Sequence, residues 1–173
     1  MKIKLLICDV DGVLTDGTKY YGQGGTASFK TFGDKDFTAI KRINAAGVNV
    51  CFLSGDNNIN HAIAKNRNID FYYSRGQSKA NFLKTFCKKY ECDISEIAFI
   101  GDDLFDLDLL DKLKYSFCPS DACREVKESC FHVTSSKGGD NVLMELHDYL
   151  VDNEFIENSP LESILKLDAA EKF

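Results

Sequence analysis

The sequence predicts a parallel, three-layer α/β fold in which helices cover both faces of one central sheet. Short apolar runs alternate along the chain with segments of helical periodicity, which is the pattern of successive β-α-β units. The runs at 3–8, 48–53 and 97–100 are almost free of charge, as strands buried on both faces are. Right-handed crossovers between such strands give a parallel sheet. A chain of 173 residues is long enough for one domain with a sizeable core.

The elements follow in order. After the first strand, residues 17–31 are rich in glycine, tyrosine and threonine and alternate loosely, which indicates a β-hairpin or flap turned at 22–25. Apolar residues at helical spacing predict a helix over 36–46, which Gly47 ends as a C-cap. Further strands are predicted at 48–53, 70–73, 97–100, 115–118 and 131–133, and further helices at 59–67, 79–90, 105–112, 122–127 and 141–150.

We expect a single domain over residues 1–150, in which the hairpin at about 17–31 takes the place of a cap domain. Residues 151–173 form an acidic, weakly patterned tail. Within this tail, Leu161–Leu167 is either a short helix or a docking segment.

Composition narrows the class of function. The net charge of −6 disfavours a nucleic-acid surface, which is basic. No apolar stretch approaches the roughly 18 residues of a transmembrane helix, and Met1 leads straight into the first strand, so we expect neither a membrane span nor a secretory signal. The seven cysteines include no Cys-x-x-Cys pair, which favours reduced thiols in a cytoplasmic protein over a zinc site.

Charged residues follow the predicted strands at places where fold stability does not explain them. Asp9 and Asp11 come directly after the first strand, Ser54 after the second, and Asp102 and Asp103 after the strand at 97–100. Burying carboxylates is costly unless a cation compensates them. Ligands bind at the carboxyl ends of strands in open parallel sheets. The sequence therefore predicts a functional site at this edge of the sheet.

Read along the chain, the pattern is Asp-x-Asp, then Ser54, then Lys79, then Gly-Asp-Asp-x-x-Asp ending at Asp106. It resembles the four motifs of the haloacid dehalogenase superfamily of phosphotransferases, which implies a three-layer Rossmann-like sheet. Residues 5–17, 29–39 and 99–106 are most similar to the small, capless branch of this superfamily, the octulosonate and nonulosonate phosphate phosphatases. The resemblance extends to residue 150.

The resemblance implies a role for each motif residue. Asp9 is the nucleophile that accepts the phosphoryl group. Asp11 is the general acid–base, which protonates the leaving alcohol and then deprotonates the attacking water. Ser54 donates its hydroxyl to the phosphate, and Lys79 supplies positive charge. The predicted phosphate-binding residues are Asp9, Gly12, Ser54, Gly55 and Lys79.

A magnesium ion is expected beside Asp9, because this hard cation prefers carboxylates and water. Its predicted ligands are Asp9, Asp11 and Asp102, the last because the first aspartate of that motif binds the metal in the family. Asp103 is expected to orient Lys79 or a metal-bound water. Asp106 has two open interpretations, a supporting part in the site or a cap on the helix that begins there.

Three departures from the branch concern substrate recognition. Lys35 and Asp56 each stand where the branch carries arginine, and Asp140 replaces a third arginine after two glycines. Neither aspartate nor lysine reproduces the bidentate fork of arginine. We therefore expect retained catalysis on a changed substrate, with a nonulosonate 9-phosphate or another phosphorylated sugar as good a candidate as octulosonate 8-phosphate. The candidate pocket residues are Thr15, Asp16, Lys35, Asp56, Arg67, Arg75 and Lys137.

The favoured function is a magnesium-dependent phosphatase acting on a sugar or 2-keto-3-deoxy sugar-acid phosphate. The resemblance also implies a homotetramer in which the flap builds the subunit interface. The alternative is a non-catalytic oligomerisation module of sugar-nucleotide synthesis, against which the intact Asp9, Asp11, Lys79 and Asp102 speak. A phosphomutase needs a cap or closure that excludes water, and this chain lacks the length for one.

Overall fold

The computed structural model of the chain describes residues 2–170. Six parallel strands form the central sheet in the order β5-β4-β1-β6-β7-β8, and β2 and β3 form a separate antiparallel hairpin. The strands are β1 (Leu5–Cys8), β2 (Tyr20–Tyr21), β3 (Ala27–Phe29), β4 (Asn49–Ser54), β5 (Asp70–Tyr73), β6 (Ile97–Ile100), β7 (Tyr115–Cys118) and β8 (His132–Val133).

The helices of the described chain are α1 (Asp34–Ala45), α2 (Ile59–Asn66), α3 (Leu83–Lys89), α4 (Leu107–Leu110), α5 (Arg124–Ser129), α6 (Val142–Asp152) and α7 (Leu161–Ala170). Three short 3-10 turns, Lys79–Phe82, Ile94–Glu96 and Leu104–Asp106, precede α3, β6 and α4.

Alternate side chains of the buried strands pack into two separate hydrophobic clusters. Leu6 and Cys8 of β1 face α1 and α6, whereas Leu5 and Ile7 face the side of α3, α4 and α5. All four side chains of β1 are fully buried, because successive residues of a strand point to opposite faces and both faces are covered. The predicted fold class, a three-layer α/β sheet with a hairpin flap, is confirmed.

Several element boundaries differ from the prediction. The predicted helices over 79–90 and 105–112 each begin as a 3-10 turn, at Lys79–Phe82 and Leu104–Asp106. In the second case the side chain of Asp106 accepts hydrogen bonds from backbone amides that precede the turn, which tightens its start. Such tightening depends on side-chain contacts that apolar periodicity does not contain.

The tail forms a helix that lies against α1. Lys41 of α1 and Asp168 of α7 form an ion pair at 2.5 Å, and helix α7 has no fully buried residue. The division into a domain over 1–150 and a tail over 151–173 stays a prediction, and Met1 and residues 171–173 lie outside the described residues. Among the described helices, none combines the length and apolarity that a membrane crossing requires.

Candidate active site

The three central strands bring the predicted site residues together at one edge of the sheet. In the register of the sheet, Cys8 lies beside Phe52 of β4 and Ile100 of β6. Asp9 therefore emerges between Ser54, at the end of β4, and Asp102, which follows β6. This is the edge at which open parallel sheets bind ligands.

Lys79 lies in the middle of this edge and connects two aspartates. Its ammonium group is 3.1 Å from Asp9 Oδ1 and 2.5 Å from Asp106 Oδ1. Burial alone lowers the pKa of Lys79, but Asp9 and Asp106 outweigh it and raise the pKa above its ordinary value. Lys79 is therefore a permanent positive charge beside the predicted nucleophile.

Asp106 organises the turn as well as the lysine. Its Oδ2 accepts hydrogen bonds from the backbone amides of Asp102 and Asp103, at 2.9 and 3.1 Å. Asp106 is fully buried. It completes the capping box of the 3-10 turn Leu104–Asp106 and contacts Lys79, but its side chain does not cap α4. Asp103 is exposed and accepts from the amide of Leu104, and it is Asp106 that contacts Lys79.

The strand-end cluster, as we name Asp9, Lys79, Asp102 and Asp106, has an excess of negative charge. Ligand oxygens of its three aspartates lie within 4.8 Å of one another, with one ammonium group among them. Burial raises the pKa of Asp9 to about 7, with Lys79 opposing and Asp106 adding to the rise. Burial, followed by the charges of Asp9 and Asp106, raises the pKa of Asp102 to about 8.

These residues fit a divalent cation. Three carboxylates and one ammonium leave two negative charges uncompensated within the cluster. Asp102 Oδ1 is buried and has no hydrogen-bond partner, whereas both oxygens of Asp106 are already engaged. Asp9 and Asp102 are thus the carboxylates with oxygens to offer, and Mg²⁺ is typically held by one or two carboxylates plus waters.

Gly12 lets the first loop approach the cluster. Its φ of +86° favours glycine, and a Cβ there would lie 2.0 Å from Asp102 Oδ2. Gly138 packs against this loop from outside, since a Cβ at that position would lie 2.0 Å from the Gly12 carbonyl oxygen. The glycines at 12 and 138 therefore set the distance between Asp102 and the loop that carries Asp11.

The Ser54 hydroxyl group has its hydrogen free to donate, because its oxygen already accepts two hydrogen bonds. Its oxygen accepts hydrogen bonds from the backbone amide of Asp56 at 3.2 Å and from the Asn60 side-chain amide at 2.9 Å. A hydroxyl has two acceptor lone pairs and one hydrogen. Because both lone pairs are used, the hydroxyl hydrogen of Ser54 is left to donate; its role in phosphate binding stays a prediction.

Asp11 belongs to a second group of charges, which we name the flap cluster: Asp11, Lys19, Lys30 and Asp56. The buried ammonium of Lys30 lies 2.6 Å from Asp11 Oδ1 and 2.8 Å from Asp56 Oδ2. Lys19, at the other end of the hairpin, lies 3.3 Å from Asp11 and 3.4 Å from Asp56. The Asp11 side chain thus points to the flap, while the aspartates grouped within ligand distance are Asp9, Asp102 and Asp106.

The lysines decide the charge state of Asp56. Partial burial raises the pKa of Asp56, but the hydrogen bonds from Lys30 and from the Asn58 amide outweigh it and lower the pKa to about 2. Asp56 is therefore an ionised but compensated carboxylate. Because Lys30 and Lys19 offset its charge, Asp56 repels an anionic substrate less than a lone carboxylate at this position would.

A cavity of about 910 Å³ opens above both clusters. Of the predicted pocket residues, Asp56 and Arg75 line it. The remaining candidates lie elsewhere in the described chain. Thr15 is buried and accepts from the amides of Gly12 and Gly17, Arg67 pairs with Asp34 at 3.5 Å, and the other three, Asp16, Lys35 and Lys137, are exposed outside the cavity.

Sequence reasoning missed Lys19, Lys30 and Asn60. The two lysines flank the hairpin and are eleven positions apart. Nothing in this spacing indicates that they contact Asp11. Lys30 lies inside the segment 29–39 that carries the family resemblance, which was the one available signal. Asn60 lies in the first turn of α2, six residues after Ser54, and no motif includes it.

Comparisons with known proteins identify the family of this chain. A family model described as haloacid dehalogenase-like hydrolase matches residues 56–146. The chain is 33% identical over 150 residues to 3-deoxy-D-manno-octulosonate 8-phosphate phosphatase of Haemophilus influenzae, a match that covers 86% of this chain and 83% of the relative.

Two solved structures are similar to this chain over most of their length. The cobalt-bound form of the Haemophilus influenzae phosphatase has a TM-score of 0.81 and 29% identity, covering 99% of this chain and 94% of that one. The Moraxella catarrhalis phosphatase in complex with magnesium, phosphate and 3-deoxy-D-manno-octulosonate has a TM-score of 0.80 and 26% identity, covering 88% and 89%.

The fold, the aspartate-lysine edge and these matches define a hydrolase with a divalent-metal site. The chain belongs to the haloacid dehalogenase-like hydrolases. Within that family it is an enzyme of the phosphoric monoester hydrolase class.

Proposed function

We propose that this protein is a magnesium-dependent phosphatase that hydrolyses a sugar or sugar-acid phosphate through an aspartyl-phosphate on Asp9. The observation that carries this proposal is the position of Asp9, buried at the strand edge with its Oδ1 3.1 Å from Lys79 and the Asp102 carboxylate on the other side. A carboxylate so placed has a cation on one side and the cavity in front of it.

The chain's own residues account for each bond change. An Asp9 oxygen attacks phosphorus, the bond from phosphorus to the sugar oxygen breaks, and Asp11 gives that oxygen a proton. Water then attacks the phosphorus of the aspartyl-phosphate, Asp11 takes a proton from it, and phosphate leaves with Asp9 restored. Lys79 and the Ser54 hydroxyl hold the phosphoryl oxygens in both steps.

Magnesium is the proposed metal, held by Asp9 and Asp102. When bound, it would neutralise the phosphoryl oxygens and offset the charge that the cluster buries. Magnesium is bound in the complex of the Moraxella catarrhalis relative and cobalt in the Haemophilus influenzae structure. The oxygen-only donor set here favours the harder ion.

The proposed substrate is an anionic sugar derivative such as 3-deoxy-D-manno-octulosonate 8-phosphate, the compound in the relatives' name. Arg75, which is exposed, lines the cavity, while Lys19 and Lys30 are both engaged with Asp11 and Asp56. The cavity edge therefore offers the Arg75 guanidinium to a sugar acid. Substitution of the branch arginines keeps a nonulosonate 9-phosphate as a second candidate.

The test is phosphate release from a panel of sugar and sugar-acid phosphates, with magnesium and with chelator. We expect magnesium-dependent turnover that is fastest on an eight- or nine-carbon sugar-acid phosphate. Equal turnover of neutral sugar phosphates would remove the sugar-acid assignment. No release from any of them by folded protein would remove the phosphatase assignment and favour an assembly role.

We further propose that the flap mediates assembly into a homotetramer. Tyr20 and Phe29 stack at 4.5 Å across the hairpin, yet they are 49% and 55% exposed, and Tyr21 is 66% exposed. Aromatic groups presented together on a two-stranded hairpin are typical of a protein interface. Sedimentation of the wild type against Tyr20→Ser/Phe29→Ser tests this, with dissociation of the variant expected; a monomeric wild type would contradict it.

A further inference from the structure

The side chain of Lys30 is fully buried, with an exposed fraction of 0%, although lysine is among the residues least often buried. It comes directly after β3, at the foot of the flap. Its three hydrogen bonds go to Asp11 at 2.6 Å, Asp56 at 2.8 Å and Asn60 at 2.8 Å. An ammonium group has three hydrogens, so each has an acceptor. Such a group is fixed in position by its partners.

Lys30 also fixes the orientation of Asn60. Because an ammonium can only donate, the Asn60 atom beside it is the carbonyl oxygen. The Asn60 amide nitrogen is then directed to Asp11 Oδ2 at 3.1 Å and to Ser54 Oγ at 2.9 Å. Lys30 thus reaches both oxygens of Asp11, one directly and one through Asn60.

We propose that Lys30 is the positioning residue for Asp11, and that with Asn60 it holds the Asp11 carboxyl group at the angle and distance needed for proton transfer to the leaving oxygen. The inference rests on the acid–base role of Asp11 in the proposed function. Lys30 does not line the cavity, so it acts through Asp11 and not on the substrate. It also makes the foot of the flap part of the catalytic geometry.

Substrates with different leaving groups distinguish a positioning role of Lys30 from a purely structural role. A sugar alkoxide needs a proton to leave, whereas the p-nitrophenolate ion leaves without one. The ratio kcat/KM reports steps up to formation of the aspartyl-phosphate and excludes the later use of Asp11 as a base. A misplaced Asp11 therefore lowers kcat/KM for the sugar phosphate and spares that for p-nitrophenyl phosphate.

The experiment measures kcat/KM on both esters with magnesium present, for wild type, Lys30→Met, Lys30→Gln and Asp11→Asn. The sugar ester is whichever phosphate of the panel the wild type uses best. We expect both Lys30 variants to lose about 10- to 100-fold more on the sugar ester than on the aryl ester, because small misplacements of a catalytic group have effects of this size. Lys30→Gln keeps a hydrogen-bond donor and serves if Lys30→Met does not fold.

Lys19→Gln is the matched comparison. Lys19 reaches the same two carboxylates, but at 3.3 and 3.4 Å and with 28% of its side chain exposed. We expect it to change both esters equally, within about threefold in their ratio, because contacts beyond about 3.2 Å orient a carboxylate weakly.

The outcomes distinguish two failures. Equal losses on the two esters in the Lys30 variants, alongside a selective loss in Asp11→Asn, would show that Lys30 supports the fold or the phosphate site and does not position Asp11. No selective loss in Asp11→Asn would instead remove the acid–base role of Asp11 on which the inference rests. A selective loss in Lys19→Gln as large as in Lys30→Gln would also overturn it.

Discussion

The strand-end cluster and the flap cluster face the same cavity but differ in charge balance. In the strand-end cluster three aspartates share one lysine, and the pKa values of Asp9 and Asp102 are raised, chiefly by burial, to about 7 and about 8. In the flap cluster two aspartates share two lysines. There the pKa of Asp56 is lowered to about 2, since hydrogen bonds led by that of Lys30 overcome partial burial.

The difference in charge balance distinguishes the cluster proposed to carry out the reaction from the cluster proposed to hold Asp11 in place. Burying excess negative charge is unfavourable unless something compensates it, so the strand-end cluster is built to take up a cation and a substrate. The flap cluster compensates itself and can hold a geometry without a ligand. Both contain aspartates close to lysines, and they differ in the number of aspartates for each lysine and in the burial of the carboxylates.

The largest effect is expected for Asp9→Asn in the strand-end cluster. An amide is a poor nucleophile, so turnover should fall by at least about 10³-fold. The metal-free variant should melt no lower than the wild type, because one of the crowded carboxylates is gone. Phosphate release and thermal melting of the same preparation check this. Turnover within tenfold of wild type would place the nucleophile elsewhere.

Removing one lysine from each cluster compares how much each lysine contributes to the free energy of unfolding. Lys79→Met leaves Asp9 and Asp106 buried without their cation, so the free energy of unfolding should fall by about 3 kcal/mol. Lys30→Met leaves Lys19 beside both carboxylates of the flap cluster, and about half that loss is expected. Urea unfolding without metal measures both, and a greater loss in Lys30→Met would contradict the charge comparison.

The clusters should also differ in pH dependence. In metal-free protein, Asp9 and Asp102 have folded pKa values above the unfolded value, about 7 and about 8, so the folded state binds more protons. Their contribution is therefore most favourable below about pH 4 and is lost as pH rises toward 8. Asp56, with its lowered pKa, contributes steadily above about pH 4.

We expect the melting temperature of metal-free protein to fall by on the order of 5 °C between pH 5 and pH 8, and magnesium to restore it at pH 8. Calorimetric scans with and without magnesium measure this. The pH dependence should be weaker in Asp102→Asn, because only the titration of Asp9 then remains in this window. A melting temperature that rises with pH in that window, or ignores magnesium, would be incompatible with a charge-deficient cluster.

The smallest effect is expected for Asp56→Asn. The flap cluster then carries one surplus positive charge at the cavity edge, so KM for an anionic sugar phosphate should fall by about two- to fivefold. The value of kcat should change by less than about twofold, because Asp56 takes no part in bond making. Steady-state kinetics at low and high salt test this, since added salt should reduce the effect.

The sequence could predict Asp9, Lys79 and Asp102 of the strand-end cluster, but it left the part of Asp106 open. It also placed Asp11 with the metal ligands, whereas the Asp11 side chain lies in the flap cluster. Asp9 and Asp102 each come after a short apolar run, and the order Ser54, Lys79, Asp102 fits one family pattern. Parallel pairing then brings strand ends together without any further information. Local signals also predict the fold class, because apolar runs and helical spacing can be recognised within single segments of the chain.

The flap cluster could not be predicted in this way. The contact of Lys30 with Asp56 and Asn60 joins residues 26 and 30 positions apart, and it depends on how the hairpin folds over the sheet edge. Lys35 stands where the branch carries arginine, and Lys137 is a cation that directly precedes the two glycines before Asp140. In the single chain both lysines lie outside the cavity. Asp56 is an example: the sequence shows that it is a carboxylate, but not that Lys30 and Lys19 compensate its charge.

The most direct test of the central claim is calorimetric titration of magnesium into wild type, Asp102→Asn and Asp56→Asn. The variants remove one carboxylate from each cluster and change the net charge of the protein equally. We predict that magnesium affinity falls by more than about tenfold in Asp102→Asn and stays near that of wild type in Asp56→Asn. Unchanged affinity in Asp102→Asn, or loss of binding in Asp56→Asn, would contradict the assignment of the cation to the strand-end cluster.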